Sequence, residues 1–280
     1  MTPAALLGLL AWSPWGETLD GASFTPAAYA LLFVLGLVLG SFLNVLIYRL
    51  PRDRSIAWPP SACPSCQARI RPWDNVPVLS WLWLGGRCRD CRAPISWRYP
   101  AVELSAALLL VGLAHALGPR LGLVPAAVFA LALLAVAIID FDFRIIPDEI
   151  SLGGLLLGLF ARGFGAADIA TGLIGALVGG GSLWLVATAY RKATGVEGMG
   201  GGDVKLAAMI GSFLGWPGVF LTIFGAALAG TLVGAGLLLS QRGDRRTALP
   251  FGAFLAPAAV FAAVAGPSLW RWYGALFSVR

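Results

Sequence analysis

Apart from one interval of fifty residues, the chain is a succession of apolar stretches, most of them long enough to cross a lipid bilayer. We read eight of them, over residues 26–48, 101–118, 121–140, 149–165, 168–190, 204–216, 218–239 and 251–273. The sixth is short and merges with its neighbour or re-enters the membrane. The bilayer core holds no water to satisfy free peptide groups, which leaves the α-helix as the spanning structure for stretches of this length. Composition agrees, with 58% hydrophobic and 12% charged residues where soluble domains carry about 25% charged. Mean hydropathy is +0.81. The 36 glycines follow no collagen-type period, so fibrous and disordered classes are excluded along with soluble enzymes. The expected fold is an all-α polytopic membrane protein of about eight transmembrane helices.

In such a chain the placement of positive residues says more than the net charge of +6, and we read no nucleic-acid partner from that charge. Nine arginines, from Arg49 to Arg98, lie at or beyond the end of the first stretch and before the second. If that interval is cytoplasmic, Arg144, Arg191, Lys192, Lys205, Arg242, Arg245 and Arg246 fall on the same side. Arg120, Arg162, Arg271 and Arg280 fall on the other, a sorting of 16 against 4. Both termini are then expected outside the cytoplasm. Met1 to Trp15 is apolar but has neither a basic n-region nor a long h-region, so it does not read as a signal peptide. The expected organisation is an N-terminal segment with the first transmembrane helix (1–49), a cytoplasmic zinc-binding insertion (50–99) and a transmembrane core (100–280).

The insertion holds all four cysteines, as Cys63-Pro-Ser-Cys66 and Cys88-Arg-Asp-Cys91. Two thiolates three positions apart can address one ion, and two such pairs close a tetrahedron around Zn²⁺. Disulfides are disfavoured in the cytoplasm, and Arg87, Arg89 and Arg92 favour thiolates electrostatically. We read a structural zinc site over two disulfides or a redox pair, because four protein ligands leave no open position for catalysis. An insertion this small has little core, so the ion is expected to supply its stability.

Among the acidic residues, Asp140, Asp142 and Asp148 sit between the third and fourth stretches, and Asp203 precedes the sixth. Carboxylates at the edge of an apolar zone are costly and tend to be functional or paired. Two of them brought together share a proton, one accepting a proton from water while the other polarises a carbonyl. Asp203 ends the run Gly198-Met-Gly200-Gly-Gly202-Asp203, which is neither a phosphate-binding loop nor a dinucleotide fingerprint. By composition alone this run reads equally as a flexible linker with a helix cap or as part of an active site.

Six ordered blocks and a closing tripeptide resemble the type IV prepilin peptidases, bifunctional membrane aspartic proteases and N-methyltransferases. They are Gly40-Ser-Phe-Leu-Asn44 through Pro51, Asn75-Val-Pro77-Val-Leu-Ser80-Trp81, the cysteine pairs, Ile95 through Glu103, Ile139-Asp140 through Pro147-Asp148, and Gly198 through Leu206. Pro250-Phe251-Gly252 closes the series. The resemblance implies that Asp140 and Asp203 are the catalytic pair and that Asp148, Gly200, Gly202 and Lys205 support the site or bind substrate. It also implies Cys63, Cys66, Cys88 and Cys91 as metal ligands. The implied activity is cleavage of a prepilin or pseudopilin leader at the cytoplasmic face of the bacterial inner membrane. Methylation of the new N-terminus would follow, with S-adenosylmethionine as donor. No Rossmann-type fingerprint for that donor is present, so methylation is implied by resemblance alone. The partners implied are the prepilin and membrane lipid, and the sequence leaves the oligomeric state open.

Some residues invite a bland reading. Trp73, Trp81, Trp83 and Trp97 read as interfacial anchors ahead of a cofactor-stacking platform. Arg49 reads as a headgroup contact, and Gly175-x₃-Gly179 and Gly230-x₃-Gly234 as close helix contacts. Two other functions compete. An intramembrane protease of presenilin or signal-peptide-peptidase type would carry a Tyr-Asp block, where this chain has Ile139-Asp140, and would not explain the cysteines. A proton-coupled transporter would show inverted repeats and helices broken at the midplane.

Overall fold

The computed structural model describes residues 12–16, 23–163, 168–240 and 250–277. Residues 1–11 of the apolar N-terminal segment lie outside the described residues, as do Arg242, Arg245, Arg246 and Arg280. Among the described residues the structure is helical, with two isolated β-bridges and no sheet. It divides into two compact units, one of Gly21–Pro119 and one of Met1–Asp20 with Arg120–Arg280.

The first unit contains α1 (Pro26–Arg49), the five-residue α2 (Leu79–Trp83) and α3 (Arg98–Leu117). Thr25 caps α1 by accepting from the Ala28 amide at 3.2 Å, and Pro26 sits where its missing amide costs nothing. Gly36 and Gly40, one helical turn apart, let α1 lie directly on α3. A Cβ at Gly36 would run into the Ala107 backbone, and one at Gly40 would sit 2.6 Å from the Glu103 Cα. This small-x₃-small contact is the tightest in the unit and was not among the glycine pairs singled out in the sequence.

The second unit contains α4 (Leu123–Phe143), α5 (Asp148–Ala161), α6 (Ile169–Thr194), α7 (Gly201–Leu239) and α8 (Gly252–Phe277). Six helices among the described residues are long and apolar enough to cross a membrane: α1, α3, α4, α6, α7 and α8. The chain is a multi-pass membrane protein. The eight expected stretches survive as helical segments, but two are altered. The fourth is α5, only 14 residues and so about 21 Å long. The expected sixth and seventh are the two halves of α7, separated by a break at Gly215 (φ 72°) just before Pro217.

That break frees backbone carbonyls inside an apolar unit, and the chain satisfies them with side chains from far away. Arg162 is 4% exposed, and its guanidinium donates to the carbonyls of Ser212 (2.8 Å) and Phe213 (2.6 Å). The Trp12 indole donates to the Leu214 carbonyl at 2.7 Å. Three orphaned acceptors of a helix end are thus paired. By sequence Arg162 counts only among the charges on the non-cytoplasmic side; in the structure it is an internal cap on the freed carbonyls.

Glycines set the spacing of the helices around 201–214. Gly154 of α5 faces Met209 with its Cβ position 2.6 Å from Sδ, and Gly158 faces Ser212 and Phe213. On the other side Gly175 meets Gly211 backbone to backbone, and Gly179 meets Ala207. The Gly175-x₃-Gly179 contact expected from the sequence is therefore present. Gly230 meets only the Phe254 ring, at 3.8 Å, which is an ordinary contact. Trp15 packs on Phe129 and Phe213 and donates to the Ala263 carbonyl at 2.9 Å, so residues 12–16 belong to this core.

Candidate active site and metal centre

α4 is apolar up to Ile139 and stops a turn later. Arg144 adopts the left-handed conformation (φ 56°) and donates its amide to the Asp140 carbonyl at 2.9 Å, closing the helix. Asp140 thus sits in the last turn of a membrane helix, 5% exposed. Its carboxylate accepts the Ala253 amide at 2.9 Å, 113 positions away in the chain. That amide belongs to the first turn of α8, where unpaired N–H groups favour an anion. Gly252 makes the approach possible, since a Cβ there would lie 2.9 Å from Asp140 Oδ2. This gives Pro250-Phe251-Gly252 a role that the sequence reading had not assigned: the stretch starts a helix against a carboxylate.

Gly200 is the N-cap of α7, with extended backbone, and Asp203 follows in the first turn with its amide on the Gly200 carbonyl at 3.2 Å. The linker reading of this run gives way to a helix start. Asp140 and Asp203 are within electrostatic range of each other. Ile146, from the α4–α5 connection, wedges into the same place. The Cβ position of Gly202 is 3.1 Å from its Cβ, and that of Gly252 is 2.9 Å from its Cδ1. Three chain segments starting or ending helices therefore converge beside the two carboxylates.

Asp148 and Lys205 form an ion pair at the same helix starts. Lys205 Nζ donates to both carboxylate oxygens, at 2.7 and 2.8 Å, joining the first turns of α5 and α7. Asp142, two residues beyond Asp140, is exposed. Of the residues expected at the site, Gly202 packs on Ile146, Asp140 shares the Gly252 contact with it, and Asp203 follows Gly202 directly in the chain. Asp148 and Lys205 clamp the helices that carry them, and Gly200 caps one helix. Gly252, Ala253 and Ile146 are the additions. Their contacts are tertiary, and only the closing Pro-Phe-Gly hinted at them.

In the other unit the four cysteines gather, with all four sulfurs within 4.8 Å of one another. The two pairs fold alike. Cys63 donates its amide to Ala68 and Cys88 to Ala93, at 2.9 and 2.8 Å; Gln67 and Arg92 return amides to the cysteine carbonyls from left-handed backbone. The local repeat Cys-x-x-Cys-x-Ala, which the sequence reading passed over, encodes this. Cys63 and Cys91 are 3.8 Å apart at sulfur, against about 2.0 Å for a disulfide and roughly 3.8 Å between ligands of a tetrahedral Zn–S₄ site. The donor set and its spacing fit zinc.

The expected help from arginines is not what favours the thiolate. The amides of Cys66 and Ser65 point at the Cys63 sulfur and bring it down to about 6. Cys91 is pushed up to about 12: the Ala93 amide lowers it, but desolvation and the neighbouring sulfurs outweigh that. Arg89 instead forks onto Asp74, holding that carboxyl below its usual range and tying residues 72–75 to the second cysteine pair. Arg49 also departs from expectation, donating to the carbonyls of Ser55 and Pro59 and so folding the start of the insertion. Trp73, Trp83 and Trp97 are exposed, as membrane-surface anchors would be, but Trp81 is not one of them. Its indole donates to the Ile95 carbonyl at 3.1 Å.

The class these features define is a helical membrane protein with two carboxylates at neighbouring helix ends and a four-cysteine cluster able to hold a metal ion. Residues 127–235 match the profile of the type IV leader peptidase family, and residues 34–117 that of the bacterial peptidase A24 N-terminal domain. A prepilin leader peptidase/N-methyltransferase of Aeromonas hydrophila is 39% identical over 273 residues, covering 88% of this chain and 93% of that protein. Its counterpart in Pseudomonas aeruginosa is 39% identical over 280 residues (91% and 97%), and that of Pseudomonas putida 40% over 263 (86% and 91%). The chain belongs to the type IV leader peptidase family. No solved structure matches it.

Proposed function

We propose that this chain cleaves the leader from type IV prepilins or secretion-system pseudopilins and methylates the amine so exposed, with Asp140 and Asp203 as the cleaving pair. What supports the reading is that Gly252, against the Asp140 carboxylate, and Gly202, next to Asp203 in the chain, both pack on Ile146, with the two carboxylates within electrostatic range of each other. One carboxylate accepts a proton from water as the water oxygen attacks the scissile carbonyl carbon. The other, protonated, donates to the carbonyl oxygen. Collapse of the tetrahedral species breaks the C–N bond, and the departing nitrogen takes a proton. The Ala253 amide holds Asp140 in orientation, and the Asp148–Lys205 pair holds the helix starts together.

S-adenosylmethionine is the methyl donor in this reading, consumed as a co-substrate. Zn²⁺ on Cys63, Cys66, Cys88 and Cys91 is structural, since the four thiolates fill its coordination shell. The protein lies in the bacterial inner membrane with the cysteine-bearing insertion in the cytoplasm and both termini outside. A prepilin with a basic leader and an apolar helix presents its scissile bond at the cytoplasmic face, where helix-end carboxylates meet water.

The test is leader release from a prepilin peptide by the detergent-solubilised protein, followed by mass spectrometry. Asp140→Asn and Asp203→Asn should each lower the rate by at least about 10²-fold, the scale of acid–base catalysis, with melting temperature unchanged. Full activity in either variant removes that residue from the mechanism.

A further inference from the structure

Three of the blocks singled out in the sequence serve neither aspartate: those around Gly40–Asn44, Asn75–Trp81 and Tyr99–Glu103. They meet within the first unit, and the residue on which they meet is Glu103. It is buried, 7% exposed, one turn inside the start of α3. A carboxylate there is expensive, and membrane helices seldom keep one without a use. Its Oε2 accepts the Val78 amide at 2.7 Å, and the Ser41 hydroxyl lies beside it. Gly40 lets α1 touch α3 at Glu103 itself, and Asn44 donates to the Tyr99 carbonyl at 3.1 Å one turn away.

Val78 is the odd partner. Its backbone is at φ 61°, ψ −51°, and the Leu79 amide reaches the Pro77 carbonyl at 2.6 Å across it. This is a tight γ-turn in its strained, positive-φ form, and a β-branched residue is poorly suited to it. Strain of this kind persists only where surrounding contacts over-determine it. The turn launches α2, whose Trp81 donates to the Ile95 carbonyl. Gly86 packs under the Trp81 ring, its Cβ position 3.0 Å away, and accepts the Ile95 amide at 2.7 Å. Directly beyond come Arg87 and Pro94, the bridge that frames Cys88 and Cys91. A continuous set of contacts thus runs from a carboxylate on a membrane helix to the second cysteine pair.

We propose that Glu103 is a positioning residue for methyl transfer: through the Val78 turn it fixes the cysteine-bearing segment in one register on α1 and α3. The proposal rests on the proposed function and assigns methylation to this unit because both aspartates, and the Ala253 and Lys205 contacts around them, lie in the other one. It predicts that acceptor reach matters, and charge does not. Glu103→Gln keeps an oxygen where Val78 needs it. Glu103→Asp keeps the charge but withdraws the oxygen, and Glu103→Ala removes both. Val78→Gly in the Glu103→Ala background removes the strain that the hydrogen bond had been holding.

The purified full-length protein is given a prepilin peptide and S-adenosylmethionine, and leader release and methyl gain are read by mass spectrometry in the same reaction, with zinc content measured beside them. Glu103→Asp and Glu103→Ala should release leader at the wild-type rate while methyl transfer falls by about 10²-fold, the scale of an ångström-level misplacement. Glu103→Gln should methylate normally, and the Val78→Gly double variant should recover methylation. Unimpaired methylation in Glu103→Asp overturns the role of Glu103, as does loss in Glu103→Gln equal to that in Glu103→Ala. Equal loss of both activities with zinc retained overturns instead the assignment of the two reactions to two units. Should the alanine variant not fold, the Asp and Gln variants alone decide.

Discussion

Cys63 and Cys66 are three positions apart, and their turn closes through backbone hydrogen bonds within six residues. Asp140 and Asp203 stand sixty-three positions apart, and Asp140 is held by an amide 113 positions away. The first arrangement repeats as a unit, since Cys88 to Ala93 folds like Cys63 to Ala68. The second has no local version: it exists only when α4, α5, α7 and α8 are packed. The cysteine cluster is therefore locally coded and, as the proposed zinc site, should depend on the ion. The carboxylate pair is globally coded, and should depend on glycines and caps remote from it.

The strongest way to break the comparison is to remove the metal. Structural zinc contributes roughly 10–16 kcal/mol in small zinc-binding peptides. Chelation at neutral pH should therefore collapse the near-ultraviolet signal of the insertion tryptophans while the far-ultraviolet helix signal stays. Loss of both together would mean the membrane helices need the insertion to stand. Cys63→Ser should act the same way and lower zinc content.

A smaller effect is expected from crowding the helix packing. Gly211→Val places a side chain against the Gly175 backbone, and overpacking typically costs 1–3 kcal/mol, here at the upper end of about 3. The melting temperature in detergent and the rate of leader release should fall together, with zinc content untouched. An unchanged rate would show that the carboxylates do not rely on this contact.

Smaller again is the cap on the broken helix. Arg162→Met leaves the Ser212 and Phe213 carbonyls without donors, a loss of about 1–3 kcal/mol. Arg162→Lys should restore only part of the melting temperature, because an ammonium cannot fork onto two carbonyls as a guanidinium does. Equal melting of the two variants would show that the fork is irrelevant.

The smallest effect belongs to the surface of the insertion. Arg89 holds the Asp74 carboxyl below its ordinary range, so this pair stabilises the fold above about pH 4, the usual carboxylate value. Its contribution is lost as pH falls through the lowered value. Asp74→Asn should lower thermal stability slightly at pH 7, and the difference from wild type should vanish in acid. A difference that persists in acid would mean the contact is not electrostatic.

The sequence exposed the parts whose signals are short-ranged. Apolar stretches marked the membrane helices, Cys-x-x-Cys the sulfurs that cluster, and the glycine run the helix start that carries Asp203. It was misleading where a residue's partner is a backbone group that only folding brings to it. Arg162 was sorted only by membrane side and is an internal helix cap. Arg49 looked like a headgroup contact and folds the insertion's first loop. Trp81 looked like an anchor and pins Ile95. Glu103, quoted only as the end of a block, carries a strained turn.

By itself the order of residues determined which stretches must be helical and which side chains could bind an ion or move a proton, because hydropathy and ligand chemistry are properties of single residues and near neighbours. Tertiary structure alone decided that α7 breaks at Gly215, that Ile146 sits between Gly202 and Gly252, and that the start of α8 faces Asp140. Those are outcomes of close packing, where one missing Cβ sets the distance between helices and one buried carbonyl must find whichever donor the fold brings to it.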